Sequence, residues 1–509
     1  MKFFLALFLA LPLSASNTSI KSLYNSLDPY SLTQYMAFYE LYPDTNEGKE
    51  AINHAWRLLR GGNHTQHLPQ FLLPKFDIQA VVSLVTRQPY DEPVKLTEEQ
   101  LTAIEELCSH FTNRKLKGLK AWTKEEVLAL PPEEIDLCRS LLIEQFEDSS
   151  NLRNDIRQYE ASLDLMALQI FARLPEDATP LDKIREINRY IFQEMQFRFP
   201  PHSIYAQDID LYTFLPSVLD SRQGVCLGVS ILYLCLAQRL DLTLEIITPP
   251  GHIYVRYNDG ETITNIETTA RGINPPCETY LGLNTRKLQK RNIKAVIGLA
   301  FVNQASVYWT RSEHQKCVDL YEKALPYLDG DPLVNMFLGF NYLFVGRKKE
   351  GEALLKPLKD YIFDYAVAPE TLTTDYLTGN IDAEGVKKMF LPVDETRESI
   401  KEKQQELKKL LKKHPKFRGG ILQLAVTYLQ LGRSGEAQKI LERYHKIDPN
   451  DPTVEYYLSI VCAERRDFPN TWKYLKQAEE ITQKRDHSPR ALRSFRNKLR
   501  THCPDPSQQ

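Results

Sequence analysis

Three side chains near the middle of the chain have the types and surroundings that nucleophilic catalysis requires. Cys226 opens an apolar run, Cys226-Leu-Gly-Val-Ser-Ile-Leu-Tyr-Leu-Cys-Leu-Ala-Gln-Arg-Leu240, which reads as a helix buried in a core. A thiol in the first turn of a helix feels the positive end of the aligned peptide dipoles, which favours thiolate. His252 follows Pro249-Pro250-Gly251 and heads a strand-like stretch to Tyr257, and a further stretch runs from Glu261 to Thr269. Between them stands Asn258-Asp259-Gly260, and Asp-Gly between two alternating runs signals a hairpin. With Asp259-Gly260 as a two-residue loop, opposed residues sum to 519 and His252 faces Glu267. Direct cross-strand partners have β-carbons about 5 Å apart, within reach of a carboxylate–imidazole hydrogen bond.

These types define a nucleophile, a base and an orienter. Cys226 would attack a carbonyl carbon, and His252 would move the proton and stabilise the thiolate as imidazolium. Glu267 would fix the imidazole tautomer, and the first-turn amides of the helix are candidates for an oxyanion hole. Asn265, diagonal to His252 on the same face, is the alternative orienter. Metal binding by Cys226, His252 and Glu267 lacks an evident fourth ligand. No metal and no cofactor is expected. Cys235 lies nine residues further along the buried helix, about 13 Å away, and reads as structural.

The elements that must hold these residues can be read around them. Ala161 to Leu174 and Pro180 to Phe197 have helical apolar spacing, with Pro180 near N1, and Gly224 allows a close backbone approach just before Cys226. Upstream, Ser26–Tyr42, Glu47–Leu59 and Thr97–Cys108 carry i, i+3, i+4 spacing, and Thr123 with Glu126 forms a capping-box signal. Downstream, Ala305, Tyr308, Tyr321 and Ala324 recur 34 residues later as Gly339, Tyr342, Leu355 and Leu358. Leu424, Ala425, Tyr428, Leu441 and Tyr444 recur as Leu458, Ser459, Cys462, Leu475 and Ala478. This spacing resembles the tetratricopeptide repeat of paired antiparallel helices, although Gly351 and Thr471 replace the usual alanine. Residues 359–400 break the register, and Lys401–Lys413 reads as a solvated helix face.

The central strings carry a second resemblance. Tyr190-Ile-Phe-Gln-Glu-Met-Gln-Phe-Arg, Val218-Leu-Asp-Ser-Arg-Gln-Gly-Val-Cys-Leu, Pro250-Gly-His-Ile-Tyr-Val-Arg and Asn265-Ile-Glu-Thr-Thr-Ala-Arg-Gly272 occur in this order over about residues 155–285. Together they resemble the transglutaminase-like branch of the papain-like cysteine enzymes, and its bacterial subset fused to tetratricopeptide repeats. The resemblance implies a Cys226–His252–Glu267 triad. Many relatives place Asp at the third position, so Glu267 needs a longer reach. Some members of the branch lack the cysteine; this chain keeps it.

Composition narrows the remaining classes. The 509 residues are 42% hydrophobic, 26% charged and 10% aromatic, ample for buried cores. Lys+Arg total 64 against Asp+Glu 66, so the net charge of −2 offers no field to recruit nucleic acid. Only 21 residues are glycine, which favours a mostly helical chain over a turn-rich β protein. No P-loop, dinucleotide fingerprint, HExxH or zinc-type CxxC pair occurs. Met1-Lys2, the apolar run Phe3–Leu13 and Ser14-Ala15-Ser16 match a secretory signal, too short to span a bilayer. The eight scattered cysteines do not form a disulfide framework, though one or two bridges are compatible with export.

The expected fold is α+β and mostly helical: a signal peptide at 1–16, a helical region at 17–150, a transglutaminase-like papain-type core at 151–290, and tetratricopeptide-like helical repeats at 291–500. The expected protein is exported, periplasmic or secreted, with no stable membrane span and no nucleic-acid partner. Its expected activity is that of a thiol peptidase, amidase or acyltransferase acting on a protein or peptide, with a partner protein on the repeats. The alternative is an adaptor whose core is a pseudoenzyme.

Overall fold

A computed structural model describes residues 17–59, 84, 87–89, 91, 92, 94–200, 213–390 and 396–503. The expected signal segment lies outside these residues. Among the described residues, no helix is long and apolar enough to cross a membrane. The described residues fall into two compact units, one within 1–197, 215–222 and 231–243 and the other within 198–214, 223–230 and 244–509.

The first unit is helical. Its elements include Leu32–Leu41, Asn46–Leu59, Glu98–Leu107, Leu137–Gln145, Leu152–Phe171 and Pro180–Asn188. Local chemistry starts several of them. Thr97 with Gln100, Thr123 with Glu126, and Thr179 with Asp182 form reciprocal capping boxes, and Pro180 occupies the first turn. The spacing over Ser26–Tyr42 is broken at Asp28-Pro29, and the helix begins only at Leu32, where Ser31 accepts from the Gln34 amide. The helix expected from Ala161 begins earlier, at Leu152. After Asn188 the next helix continues as a π-helix, Arg189–Glu194. Buried charges in this unit are paired. Arg139 holds both oxygens of Glu160 at 2.6 and 2.7 Å and lies 3.9 Å from the centre of the Trp122 ring. Arg239 donates from Nε to Asp164 Oδ1 at 2.7 Å, and Arg114 holds the other Asp164 oxygen.

The second unit carries a four-stranded antiparallel sheet, β1 (Glu245–Thr248), β2 (Tyr254–Asn258), β3 (Ile263–Ile266) and β4 (Gln289–Arg291), in the order β3-β2-β1-β4. The hairpin register differs from the two-residue-loop expectation. Asn258 pairs with Ile263 and Val255 with Ile266, so opposed residues sum to 521 and the connection is four residues long. The cause is local. Asp259 Oδ1 accepts the amides of Glu261 and Thr262 at 3.0 and 2.7 Å, and Asn258 Oδ1 accepts that of Gly260 at 3.0 Å. Side chains that bind their own backbone stretch the turn. An even shift preserves the side-chain parity of the strands, so His252 and Glu267 stay on one face.

The 34-residue recurrence corresponds to helix pairs. They are Ile293–Thr310 with His314–Leu328, Pro332–Phe344 with Lys348–Leu355, Arg418–Gln430 with Ser434–His445, and Pro452–Glu464 with Phe468–Gln483. Asp331 and Asp451 each cap a helix whose first residue is proline. The small residues Ala305, Ala425 and Ser459 are fully buried. Gly351 has a steric reason for replacing alanine: a β-carbon there would stand 2.6 Å from the Gly339 carbonyl oxygen and 2.8 Å from Leu343. Gly351→Ala should therefore destabilise this helix pair by about 1–3 kcal/mol, the usual cost of overpacking, measured as a lower urea midpoint. Residues 359–390 interrupt the array with the short helices Leu372–Leu377 and Ala383–Met389. The lysine-rich segment forms Arg397–Lys413, which buries Ile400, Leu407, Leu410 and Leu411 and leaves most of its charges in solvent.

Candidate active site

The helix Cys226–Arg239 begins at Cys226, so its thiol sits where the first amides lack intrahelical acceptors. The approach to it is tight. The Gly224 amide donates to Arg198 O at 3.1 Å, and a β-carbon on Gly224 would come 2.6 Å from Val229 Cγ2. The start of the helix is tied to the acid loop: Ser230 and Thr268 share a hydroxyl hydrogen bond of 3.0 Å, and Thr268 Oγ1 reaches the Cys226 carbonyl at 3.5 Å.

His252 lies between Gly251 and β2, its side chain 20% exposed. Its Nε2 is 2.7 Å from Glu267 Oε2, and the half-buried Cys226 thiol is near enough to its ring to act on its pKa. With Nε2 committed to Glu267, Nδ1 is the nitrogen left for the thiol. Burial draws the imidazole pKa down, but the hydrogen bonds and charges of Cys226 and Glu267 outweigh it and hold the pKa up at about 9.

Glu267 is fixed from several sides. It caps the short 3-10 helix Thr268–Ala270, and its Oε1 accepts from the Thr269 amide at 3.1 Å and the Thr269 hydroxyl at 2.6 Å. Its Oε2 accepts from Tyr280 as well as facing His252. Burial pushes the carboxyl pKa up; the hydrogen bonds from His252, Thr269 and Tyr280 win and bring it to about 2. Glutamate at this position does reach the imidazole, at 2.7 Å.

Asn265 does not take the orienting role. Its Nδ2 donates to Pro275 O at 2.8 Å and to Cys277 Sγ at 3.6 Å, and its backbone pairs with Arg256. The structure thus brings Cys226, His252 and Glu267 together and turns Asn265 to the following loop. Cys235 is fully buried. No disulfide joins any of the eight cysteines, and Cys277 is exposed.

Tyr280 is the residue that sequence reasoning missed. It ends the short helix Cys277–Tyr280, stacks on Tyr254 at 5.3 Å between ring centres, and lies 5.1 Å from the His252 ring. Burial and the Glu267 charge both raise its phenol pKa, which keeps it a donor. Nothing periodic marks Pro275-Pro276-Cys277-Glu278-Thr279-Tyr280. The only signal was its place at the end of the family-like stretch.

A second group has ligand-type atoms close together: Asp136, Cys138 and Glu160 lie within 4.8 Å of one another. Their carboxylates are already engaged. Arg139 spans Glu160, while Asp136 accepts from the Arg139 amide at 2.8 Å and from Asn113 at 3.0 Å. This is a buried ion-pair network.

Comparison with known proteins agrees with this organisation. Residues 157–279 match the transglutaminase-like superfamily, and residues 404–456 match a tetratricopeptide repeat. The chain therefore joins a transglutaminase-like core to tetratricopeptide repeats in a mostly helical α+β fold. Among solved structures it is similar to MamA, at 15% identity over 37% of this chain and 97% of that one, with a TM-score of 0.20. It is also similar to YrrB, described as a TPR protein with an unusual peptide-binding site, at 16% identity over 40% of this chain and 92% of that one, with a TM-score of 0.21. No curated protein matches the chain.

Proposed function

We propose that the protein is an exported thiol enzyme of transglutaminase-like type, which cleaves or transfers amide bonds of a protein or peptide. The observation that carries this reading is the hydrogen bond of His252 to Glu267 on one ring nitrogen, beside the Cys226 thiol at the start of its helix. In the proposed cycle, the proton of Cys226 passes to His252 and the thiolate attacks the carbonyl carbon. The imidazolium, held by Glu267, protonates the leaving amine. A thioester remains, and water or a second amine resolves it with His252 as base. Water gives hydrolysis; an amine gives a new amide. The Cys226 and Leu227 amides at the helix start are suited to receive the oxyanion.

The repeats supply the protein-binding part of the reading, because stacked helix pairs form extended surfaces for partner proteins. Export rests on the charge, apolar run and small residues of the first 16 positions.

The test is the alkylation of Cys226 by iodoacetamide, followed by peptide mass spectrometry. At pH 7, His252→Ala should slow the modification of Cys226 at least about tenfold, because the partner that receives the thiol proton is gone. Exposed Cys277 is the internal reference and should react at an unchanged rate. Incubation with casein and a fluorescent alkylamine then separates cleavage from amine incorporation. Modification of Cys226 at equal rates in both proteins, with no change in casein, would instead identify an adaptor with an inert core.

A further inference from the structure

We propose that the C-terminal end of the helical repeats, together with the insertion that interrupts them, positions Tyr280 against Glu267 and so forms a structural part of the candidate active site. The positioning is a property of the fold; only its value for catalysis rests on the reading above.

Tyr280 sits on a connector, residues 277–286, that leads from the acid loop toward β4. The connector has little internal structure beyond the single short helix Cys277–Tyr280. Such a segment takes its conformation from what it is docked on. Two parts of the repeat region dock it.

The first is the C-terminal end. His487 is 7% exposed, and its Nε2 bonds the Gly282 carbonyl oxygen at 2.8 Å. Arg493, on the helix Arg490–His502, donates to Glu278 Oε2 at 3.0 Å. Leu283 packs on a core cluster formed by Trp472, Leu475, Ala478, Leu492 and Leu499. Tyr280 is thus bracketed by a contact two residues before it and contacts two and three residues after it.

The second is the insertion. The Arg286 amide donates to Tyr365 O at 2.8 Å, and Thr285 forms a bridge with Ala366. Asn284 Oδ1 accepts the amides of Val367 and Ala368 at 3.0 and 2.7 Å. The residues that break the 34-residue spacing thereby clamp the far end of the connector.

The energetic weights differ. The Arg493–Glu278 pair is about half exposed on both sides and contributes little alone. The Gly282 contact of the buried His487 ring and the Leu283 packing carry most of the hold, since a buried imidazole nitrogen left without its partner is costly. The consequence falls on Glu267. Tyr280 and His252 donate to the same carboxylate oxygen, so a displaced connector leaves that oxygen with one donor.

The contact can be read directly by placing 3-fluorotyrosine at position 280 in the full chain and following its fluorine resonance with pH. Fluorination brings the phenol titration into the measurable range. The groups facing this phenol are Glu267, His252, Tyr254 and Cys226, and the carboxylate of Glu267 opposes its ionisation. We expect His487→Ala/Arg493→Ala to increase the phenol ionisation constant at least tenfold, toward that of free fluorotyrosine. Glu267→Gln should do the same, and adding the His487→Ala/Arg493→Ala pair to it should change nothing further. Glu278→Ala, an exposed change with no folding risk, should give a smaller increase of the same sign. An unchanged constant in the His487→Ala/Arg493→Ala protein, with helical circular dichroism retained, overturns the proposal. So does an equal effect in the Glu267→Gln background. Should the double variant lose its fold, an unchanged constant in Glu278→Ala together with Asn284→Ala overturns it instead. None of these readings requires turnover, so failure of the thiol-enzyme reading remains separately visible.

Discussion

Glu267→Gln should lower the pKa of His252 from about 9 toward the ordinary value of about 6.5 and slow alkylation of Cys226 at pH 7 at least about tenfold. The substitution keeps the shape and removes the charge. Burial then acts on the imidazolium with one fewer opposing interaction, so a smaller share of His252 is protonated at neutral pH. Any turnover that depends on His252 as acid and base should fall by about 10²–10⁴-fold. The same pair gives a signed dependence of stability on pH. His252 has a raised pKa, so its contribution is complete below about 6.5 and disappears as pH rises through about 9. Glu267 has a depressed pKa, so its contribution is complete above about 4.5 and disappears as pH falls through about 2. The difference in unfolding free energy between the native protein and Glu267→Gln should therefore be widest between about pH 4.5 and 6.5 and narrow on both sides. Urea titrations at pH 3, 5.5, 7 and 9 measure it. A difference that grows toward pH 9 would contradict the assignment.

Asp164→Asn should be the most damaging single change outside the site, at about 3–5 kcal/mol. Asp164 is fully buried and Arg239 is 2% exposed, with 2.7 Å between Arg239 Nε and Asp164 Oδ1. Arg114 takes the second carboxylate oxygen. Replacing the carboxylate by an amide leaves Arg239 charged and buried with no carboxylate in hydrogen-bond contact, since its other hydrogen bond goes to the Cys235 carbonyl at 3.1 Å. The exposed Lys413–Asp382 pair is the control: Asp382→Asn should change stability by less than about 1 kcal/mol. Circular dichroism against urea distinguishes the two, and equal losses would show that Arg239 finds another partner. Because Arg239 ends the helix that begins at Cys226, the loss at Asp164 should also speed alkylation of the otherwise buried Cys235.

How much of the fold and site is legible in the sequence can be judged element by element. The start of the Cys226 helix follows from an apolar run that directly follows Gly224, and the capping box at Thr123 follows from a three-residue spacing. The 34-residue recurrence marks the helix pairs, because small residues must recur where paired helices cross closely. Each of these signals is local or periodic, so a string of residue types suffices to carry it. The hairpin is half legible. Asp-Gly announces the turn, but the Asp259 side chain binds two amides ahead and lengthens it by two residues. The predicted approach of His252 to Glu267 survives that error because strand faces repeat every two residues.

The sequence alone, then, determined the residue types at the site, the elements that carry them, the joining of a transglutaminase-like core to repeats, and the face on which His252 and Glu267 meet. Only the tertiary structure decided which of the two bonds His252, since Asn265 and Glu267 share strand parity and differ in what surrounds them: Pro275 and Cys277 for the first, Thr269 and Tyr280 for the second. It alone placed Tyr280, and it alone brought the insertion and the C-terminal helix against the connector. Those contacts join residues some 80 to 215 positions apart. Backbone preference and hydrophobic period describe what a residue does with its near neighbours. A contact between distant segments exists only once every intervening helix has packed, and no short pattern encodes it.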